Sequence, residues 1–310
     1  GFSKLDGMFA IALYDTVSET LYLVRDRFGK KPLYWGIFDG TILFGSELKA
    51  LMRHPSFKKE IDPTSLELYL AYEYVPTPRS IFKGVRKMEP ASFLTFKAGA
   101  EPVVRSYWTP PVAASLDPYE VALERTDTLL NAAVAKRLVS DVPLGVFLSG
   151  GIDSSTVAYY AKQHGEVRTF SIGFDDPDFD ESSFARDVAS VLGTIHSEER
   201  FSSKTCVDIV PEVFAYVDEP MADASILPTY LLSGFTRKHV TVALGGDGGD
   251  ELFAGYPTFQ AEALVGAYRA IPDAVRSRVV EPLIRALPSS DTNMSFDFKL
   301  KRFIEGAGYP

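Results

Sequence analysis

At 310 residues, with 46% hydrophobic and 24% charged positions, the chain holds apolar material for about two domains of the usual size, roughly 150 residues each. The 41 acidic and 32 basic residues give a net charge of −9, with no long lysine or arginine run, which argues against nucleic acid as a partner. One cysteine, Cys206, excludes an internal disulfide and fits a reducing compartment, and no apolar run reaches the ~18 residues of a membrane span. A soluble, cytoplasmic protein with no membrane partner is expected. The first residue is glycine and the last helix-like run, FKLKRFIEGAG, ends just before Tyr309-Pro310, so both ends read as cuts in a longer protein.

Residues 2 to 48 alternate between short apolar runs and turn signals: MFAIALYD, ETLYLVRD, KPLYWGIFDG and TILFGSE. Alternating apolar and polar positions, with Asp39-Gly40 between two runs, predict antiparallel hairpins. A helix is expected from Leu66 to Tyr74, a loop at Pro76-Thr77-Pro78, and a further strand at Ser92 to Phe96. The proline and small-residue stretch WTPPVAAS at 108–115 reads as a connection between domains, giving 1–108 and 109–310.

Asp117-Pro118 then opens a long helix that closes before Pro143. Beyond it the elements alternate: a short apolar strand from Leu144, a helix at Thr156 to His164, a strand at Val167 to Gly173 and a helix at Asp180 to Leu192 capped by Asp180. There follow a strand at Ile195 to Phe201, helices at Lys204 to Tyr216 and Ile226 to Lys238, and a strand at Val240 to Leu244. Such alternation predicts a parallel sheet covered on both faces, with ligands beyond the carboxyl ends of the strands.

Two of those strand ends carry glycine-acid loops. In the first, Ser149-Gly150-Gly151-Ile152-Asp153-Ser154-Ser155, glycines permit close backbone approach and the first helical turn offers N–H groups to an anion, with Ser149, Ser154 and Ser155 adding hydroxyls. Asp153 beside an anion calls for a cation between them, which points to Mg²⁺ held by one or two carboxylates together with substrate phosphates. No lysine follows Gly151, so this is not a Walker loop, and the dinucleotide fingerprint is not matched either. The second loop, Gly245-Gly246-Asp247-Gly248-Gly249-Asp250-Glu251, places acids that can hold a divalent cation on a backbone free to wrap a ligand. For both loops, a glycine turn with no ligand is the competing reading, and their coexistence in one domain weakens it.

SGGIDSS resembles the pyrophosphate-binding loop of the ATP-pyrophosphatase superfamily. Together with DVPLGVFLSGGIDSS, FDESSFARDVASVLGTIH, DEPMADASILPTYLLS and GGDGGDELFAGY, the chain is similar to the glutamine-hydrolysing asparagine synthetases. LDGMFAIALYD, RDRFGKKPLYWG and FGSELKAL are similar to the later half of their glutaminase domain. The resemblance implies an α/β protein: part of an N-terminal-nucleophile, αββα-type glutaminase domain at 1–108, then a parallel-sheet ATP-pyrophosphatase domain at 109–310, truncated at its C-terminus.

It also implies ATP-dependent amide formation on aspartate through a β-aspartyl-AMP intermediate, with ammonia from glutamine, and ATP and Mg²⁺ at the site. Leu148, Ile172, Gly245 and Gly246 would contact the adenosine part. Ser149, Gly150, Gly151, Ser154 and Ser155 would cradle the pyrophosphate, Asp153 and Asp250 would carry Mg²⁺-pyrophosphate, and Asp247 would serve intermediate formation or ammonia. Gly245 stands where the family commonly has serine. The glutaminase nucleophile and the glutamine-binding segments would lie upstream of Gly1, so this piece alone is not expected to hydrolyse glutamine. A homodimer is the expected assembly. Amidotransferases acting on other carboxylates, in polysaccharide, peptide or β-lactam biosynthesis, share both loops, and a nucleotide-binding protein that has lost catalysis is a further alternative.

Other polar clusters have plainer explanations. Asp176, Asp178 and Asp180 have calcium-like spacing, but Glu181 stands where such a loop needs glycine, so a solvated loop and helix cap are expected. Arg25 and Asp26 are expected to pair structurally, and Cys206 to be a small buried hydrophobe. Of the four histidines only His196 falls near the presumed site.

Overall fold

The computed structural model describes residues 1–111, 117–289 and 295–308; the small-residue end of the proposed connection, 112–115, and Tyr309-Pro310 lie outside these. The chain divides into two compact units, Gly1–Leu116 with Val210–Ile226, and Asp117–Ile209 with Leu227–Pro310.

The first unit carries β1 (Ala10–Asp15), β2 (Thr20–Arg25), β3 (Tyr34–Phe38), β4 (Thr41–Gly45), α1 (Leu48–Leu51), α2 (Pro63–Tyr72), β5 (Val85–Lys87), β6 (Ser92–Phe96) and β7 (Val103–Ser106). All pairing is antiparallel, in sheets of order β1-β2-β6-β7 and β4-β3-β5. The Asp39-Gly40 turn closes β3 against β4 with both residues at positive φ, 49° and 78°, the hand that matches strand twist.

Alternation along β3 then builds two cores. Trp35 faces Leu23 and Leu94 of the other sheet, while Tyr34 and Phe38 face Leu48, Leu51 and Val75. The strands β5 and β7 were not anticipated: β5 has only three residues, and β7 is exposed throughout, so neither shows a burial pattern. Helix α2 starts earlier than expected because Asp62 caps it, accepting from Thr64 N at 3.2 Å, and it stops at Glu73, whose φ is 67°.

The second unit follows the expected alternation: α3 (Tyr119–Arg137), β8 (Leu144–Phe147), α4 (Ile152–Gln163), β9 (Arg168–Phe174), α5 (Ser182–Leu192), β10 (Ile195–Phe201) and α6 (Ser203–Asp208). The stretch expected as one helix to Tyr216 is broken near Pro211, which lacks an N–H to continue the ladder, and α7 (Val210–Tyr216) belongs to the first unit. The second unit resumes through α8 (Ile226–Arg237), β11 (Val242–Leu244), α9 (Gly249–Phe253), α10 (Pro257–Arg269), α11 (Asp273–Val275), α12 (Glu281–Arg285) and α13 (Phe296–Ala307). The four strands are all parallel, in the order β10-β9-β8-β11.

Val146 and Leu148 pack with Ala158, Ala161 and Ala185 on one face, while Phe170 packs with Phe235 and Val240 on the other. Both faces are covered, as the apolar runs required. Among the described residues no helix is long and apolar enough to cross a membrane.

Candidate functional site

The first glycine loop begins where β8 ends. Leu148 N donates to Phe170 O at 2.8 Å, so strand pairing continues up to the loop, and α4 starts at Ile152, four residues earlier than its apolar pattern indicated. Gly150 has φ 85°, and a β-carbon there would lie 2.5 Å from the carbonyl carbon of Phe184. Its glycine is therefore required by the close passage of α5, whereas the sequence reading assigned it to ligand approach. Gly151 is more open, with only Ser149 Oγ 3.3 Å from its would-be β-carbon.

The hydroxyls brace the loop. Ser154 Oγ accepts from Ser149 N at 3.2 Å and lies 3.0 Å from Ser149 Oγ, which in turn accepts from Gly151 N at 3.2 Å. Two loop amides are thus already used, and the donors left for an anion are the first-turn amides of α4, which have no helical acceptor. Ser155 departs from expectation. One residue further round a 3.6-residue turn, its Oγ is buried without a partner among the described residues, and Ser155 lines a separate groove with Ile152 and Tyr159.

The second loop follows β11 and rests on the first. A β-carbon on Gly246 would stand 2.7 Å from Ser154 N and 2.9 Å from Asp153 Cβ, and one on Gly249 would overlap the Asp153 carboxylate. Gly248 turns the chain into α9 with φ 94°. Asp250 sits in the first turn of that helix, and Gly255 leaves room for its carboxylate. A side chain at Gly245 would meet Asp247 Oδ2 at 2.5 Å.

Between the loops and the strand ends lies a cleft of about 600 Å³. Its apolar lining includes Phe147, Leu148, Ile172, Phe174 and Leu232. Its polar and glycine lining includes Ser149, Asp153, Ser154, Gly245, Gly246, Asp247 and Asp250. The structure thus brings most of the sequence-derived residues to one cleft; Gly150, Gly151 and Ser155 are not among its lining residues.

Sequence reasoning missed Ser171, Glu181 and Tyr256 in the lining. Ser171 was legible only as the neighbour of Ile172. Tyr256 follows the second loop at the end of the LFAGY run and donates to Glu251 Oε1 at 2.9 Å, a bond that raises its phenol pKa.

Among the described lining residues there are five acids and no lysine, arginine or histidine. A polyanionic ligand in such a cleft needs cations of its own. Asp153 and Asp250 could hold one, since Mg²⁺ takes only one or two carboxylates beside substrate oxygens. Among the described residues no group of three or more His, Cys, Asp or Glu is close enough to form a self-sufficient metal cage.

The remaining polar residues are structural. Asp176 Oδ1 accepts from Asp178 N at 3.0 Å, and Asp180 Oδ1 from Ser182 N at 3.1 Å, so Asp180 helps cap α5 although the helix begins two residues later. Arg25 donates to the carbonyls of Lys31, Met88 and Gly29, and Asp26 accepts four backbone amides, so each ties loops rather than binding the other. The Cys206 thiol is half-buried and pushed up by burial, which disfavours a thiolate.

Comparison with known proteins agrees with this architecture. The asparagine synthase profile matches residues 125–304, and the glutamine amidotransferase domain profile matches residues 1–108. A putative asparagine synthetase [glutamine-hydrolyzing] of Mycobacterium tuberculosis (strain ATCC 25618 / H37Rv) is 36% identical over 291 residues, covering 90% of this chain and 45% of its own length. Asparagine synthetase [glutamine-hydrolyzing] 1 of Bacillus subtilis (strain 168) is 34% identical over 282 residues, covering 90% and 44%. The chain therefore spans about half the length of the curated relatives it matches. An NH3-dependent NAD synthetase structure from Campylobacter jejuni covers 62% of this chain and 96% of its own at 15% identity, with a TM-score of 0.30, too loose a superposition to bear on the assignment. Because the synthase profile spans more than half of its residues, the chain belongs to the asparagine synthase family.

Proposed function

We propose that the second unit binds ATP with Mg²⁺ and activates the side-chain carboxylate of aspartate as an acyl-adenylate, which ammonia then converts to the amide. The first unit is read as part of the glutaminase domain that supplies the ammonia in the complete enzyme, with 1–108 and 109–310 as the two functional domains. The observation that carries this reading is the cleft lining, which combines apolar side chains suited to a base with two interlocked glycine loops whose described acids have no basic neighbour in that lining.

The residues divide the work accordingly. Leu148 and Ile172 flank the base, and the first-turn amides of α4 face the departing pyrophosphate. Asp153 and Asp250 would hold Mg²⁺, which when bound supplies neutralisation of the charge that develops on the pyrophosphate. Gly246 keeps the two loops in register, and Asp247 is placed to orient the activated carboxyl or accept a proton from ammonia. We further read the working enzyme as a cytoplasmic homodimer acting on aspartate, ATP and glutamine or ammonia, with no nucleic acid or membrane partner.

Aspartate-dependent ATP/pyrophosphate exchange in the complete enzyme tests the assignment. Asp153→Ala and Asp250→Ala should each abolish exchange while leaving glutamine hydrolysis intact. Undiminished exchange in both variants overturns it, and exchange with another carboxylate but not aspartate overturns the substrate.

A further inference from the structure

We propose that the Ser171 hydroxyl hydrogen-bonds the polar edge of the nucleotide base, and that His196 is the positioning residue that holds it there; this rests on the nucleotide reading given above. The apolar side chains of the cleft can enclose a flat heteroaromatic ring, but a base also carries polar atoms that need partners. Ser171, which lies on β9 directly before Ile172, lines the cleft and, by strand alternation, is turned to the Leu148 face of the sheet rather than the Ile172 face. It is only 4% exposed.

A chain of hydrogen bonds supports that hydroxyl. Ser171 Oγ lies 3.1 Å from His196 Nε2; His196 Nδ1 lies 3.0 Å from Thr169 Oγ1; Thr169 Oγ1 lies 2.8 Å from Thr194 Oγ1. Strand register produces this, since His196 on β10 pairs directly with Thr169, and Ser171 is the next residue on the same face of β9. Both imidazole nitrogens are engaged, so the ring cannot turn without losing bonds. A hydroxyl can take part in three hydrogen bonds, and among the described residues Ser171 uses one. Its remaining capacity, in a wall that a ligand would dehydrate, is matched by a base edge.

The plainer account is that the network only satisfies buried polar groups, and the two accounts differ in what they predict for ligand choice. Binding of ATP, ITP and inorganic pyrophosphate, each with Mg²⁺, is measured on the full 310-residue chain and on variants. Ser171→Ala should weaken ATP and ITP alike, each about three- to tenfold, because a hydroxyl can pair with either base edge, and leave pyrophosphate binding unchanged. In the complete enzyme it should raise the KM for ATP with little change in kcat. His196→Phe should reproduce the effect, and His196→Gln, which restores a donor and an acceptor, should recover part of it.

Undiminished nucleotide binding in Ser171→Ala, or equal losses for ATP, ITP and pyrophosphate, overturns the proposal. A wild-type chain that binds none of the three overturns the nucleotide reading itself, a distinguishable failure. Ser171→Ala removes one oxygen and keeps the Thr169 bond to His196, so misfolding does not confound the result.

Discussion

The backbone nitrogen of Ser154 lies 2.7 Å from where a β-carbon on Gly246 would stand, so the two glycine loops meet backbone to backbone. Neither side of that contact can rotate away. Gly246→Ala should therefore separate the loops, lowering ATP/pyrophosphate exchange at least about 100-fold and stability by roughly 1–3 kcal/mol. Gly245→Ala is the stability control, because its new β-carbon presses on the Asp247 carboxylate, which can turn, and on no backbone of the other loop. Equal losses of stability in the two variants would rule out the loop contact as the cause.

Gly150 makes a second such prediction, against α5 instead of the other loop. Its new side chain would strike the Phe184 carbonyl carbon and lie 2.7 Å from Ala185 N, at a φ of 85° that L-residues rarely adopt. Gly150→Ala should lower the melting temperature of the second unit as well as activity, by about 2 kcal/mol or more in urea. Gly151→Ala, whose β-carbon would meet only the Ser149 hydroxyl at 3.3 Å and no backbone, should cost much less stability. Circular dichroism melts of the pair decide between the packing role and a ligand-only role.

Asp26 should govern acid stability in the first unit. Burial alone would raise its carboxyl, but the amides of Lys31, Lys30, Phe9 and Phe28 outweigh that and hold it below the usual carboxylate range. A depressed folded value contributes stability above the unfolded pKa of about 3.9, and that contribution disappears as pH falls through the folded value. Asp26→Ala should cost about 3 kcal/mol at pH 7, since it strands four amides, and the gap from wild type should narrow below about pH 4. Both tryptophans, Trp35 and Trp108, lie in this unit, so fluorescence-detected urea melts report on it.

Lys87 and Glu219 form a partly buried ion pair inside the same unit, Glu219 lying on a segment that sequence order places among the elements of the other. Lys87 also donates to Val75 O at 2.5 Å, and Glu219 Oε2 accepts from Ile81 N at 3.2 Å. Burial pushes the Glu219 carboxyl up, with Lys87 and the Ile81 amide opposing. A raised folded value favours the folded state fully below the unfolded pKa of about 4.3, and the advantage is lost as pH rises through the folded value. Lys87→Met should cost about 2–3 kcal/mol at pH 7.5, where Glu219 is left charged without its lysine, and much less at pH 5. A loss independent of pH would show that the lysine acts through packing alone.

The reach of the sequence differed between the two units. Pattern alone located β1, β2, β3, β4 and β6, because half-buried hairpin strands alternate with period two, and it located the strands of the parallel sheet, β8 and β9 as apolar runs and the polar edge strand β10 by its place in the strand–helix alternation. It missed β5 and β7, which are short or exposed, and it read α6 and α7 as one helix. That error mattered: local periodicity is the same on both sides of Pro211, while the unit that each turn joins depends on Asp218 and Glu219 meeting Leu48 N, Lys49 and Lys87 more than a hundred residues away in sequence.

For the site, residue types and spacing determined which loops hold glycine and acid, and hence the chemistry of anion and cation that they can support. Only the tertiary structure decided how those residues are used. It turned Gly150 toward a helix and Gly246 toward the other loop, spent Ser154 on bracing, and rotated Ser155 out of the cleft. It also brought Ser171 and His196 together across two strands. The physical reason is that composition and order determine which groups a loop can offer, whereas their direction depends on strand register, on the 100° step between helical neighbours, and on which backbone passes close enough to forbid a side chain.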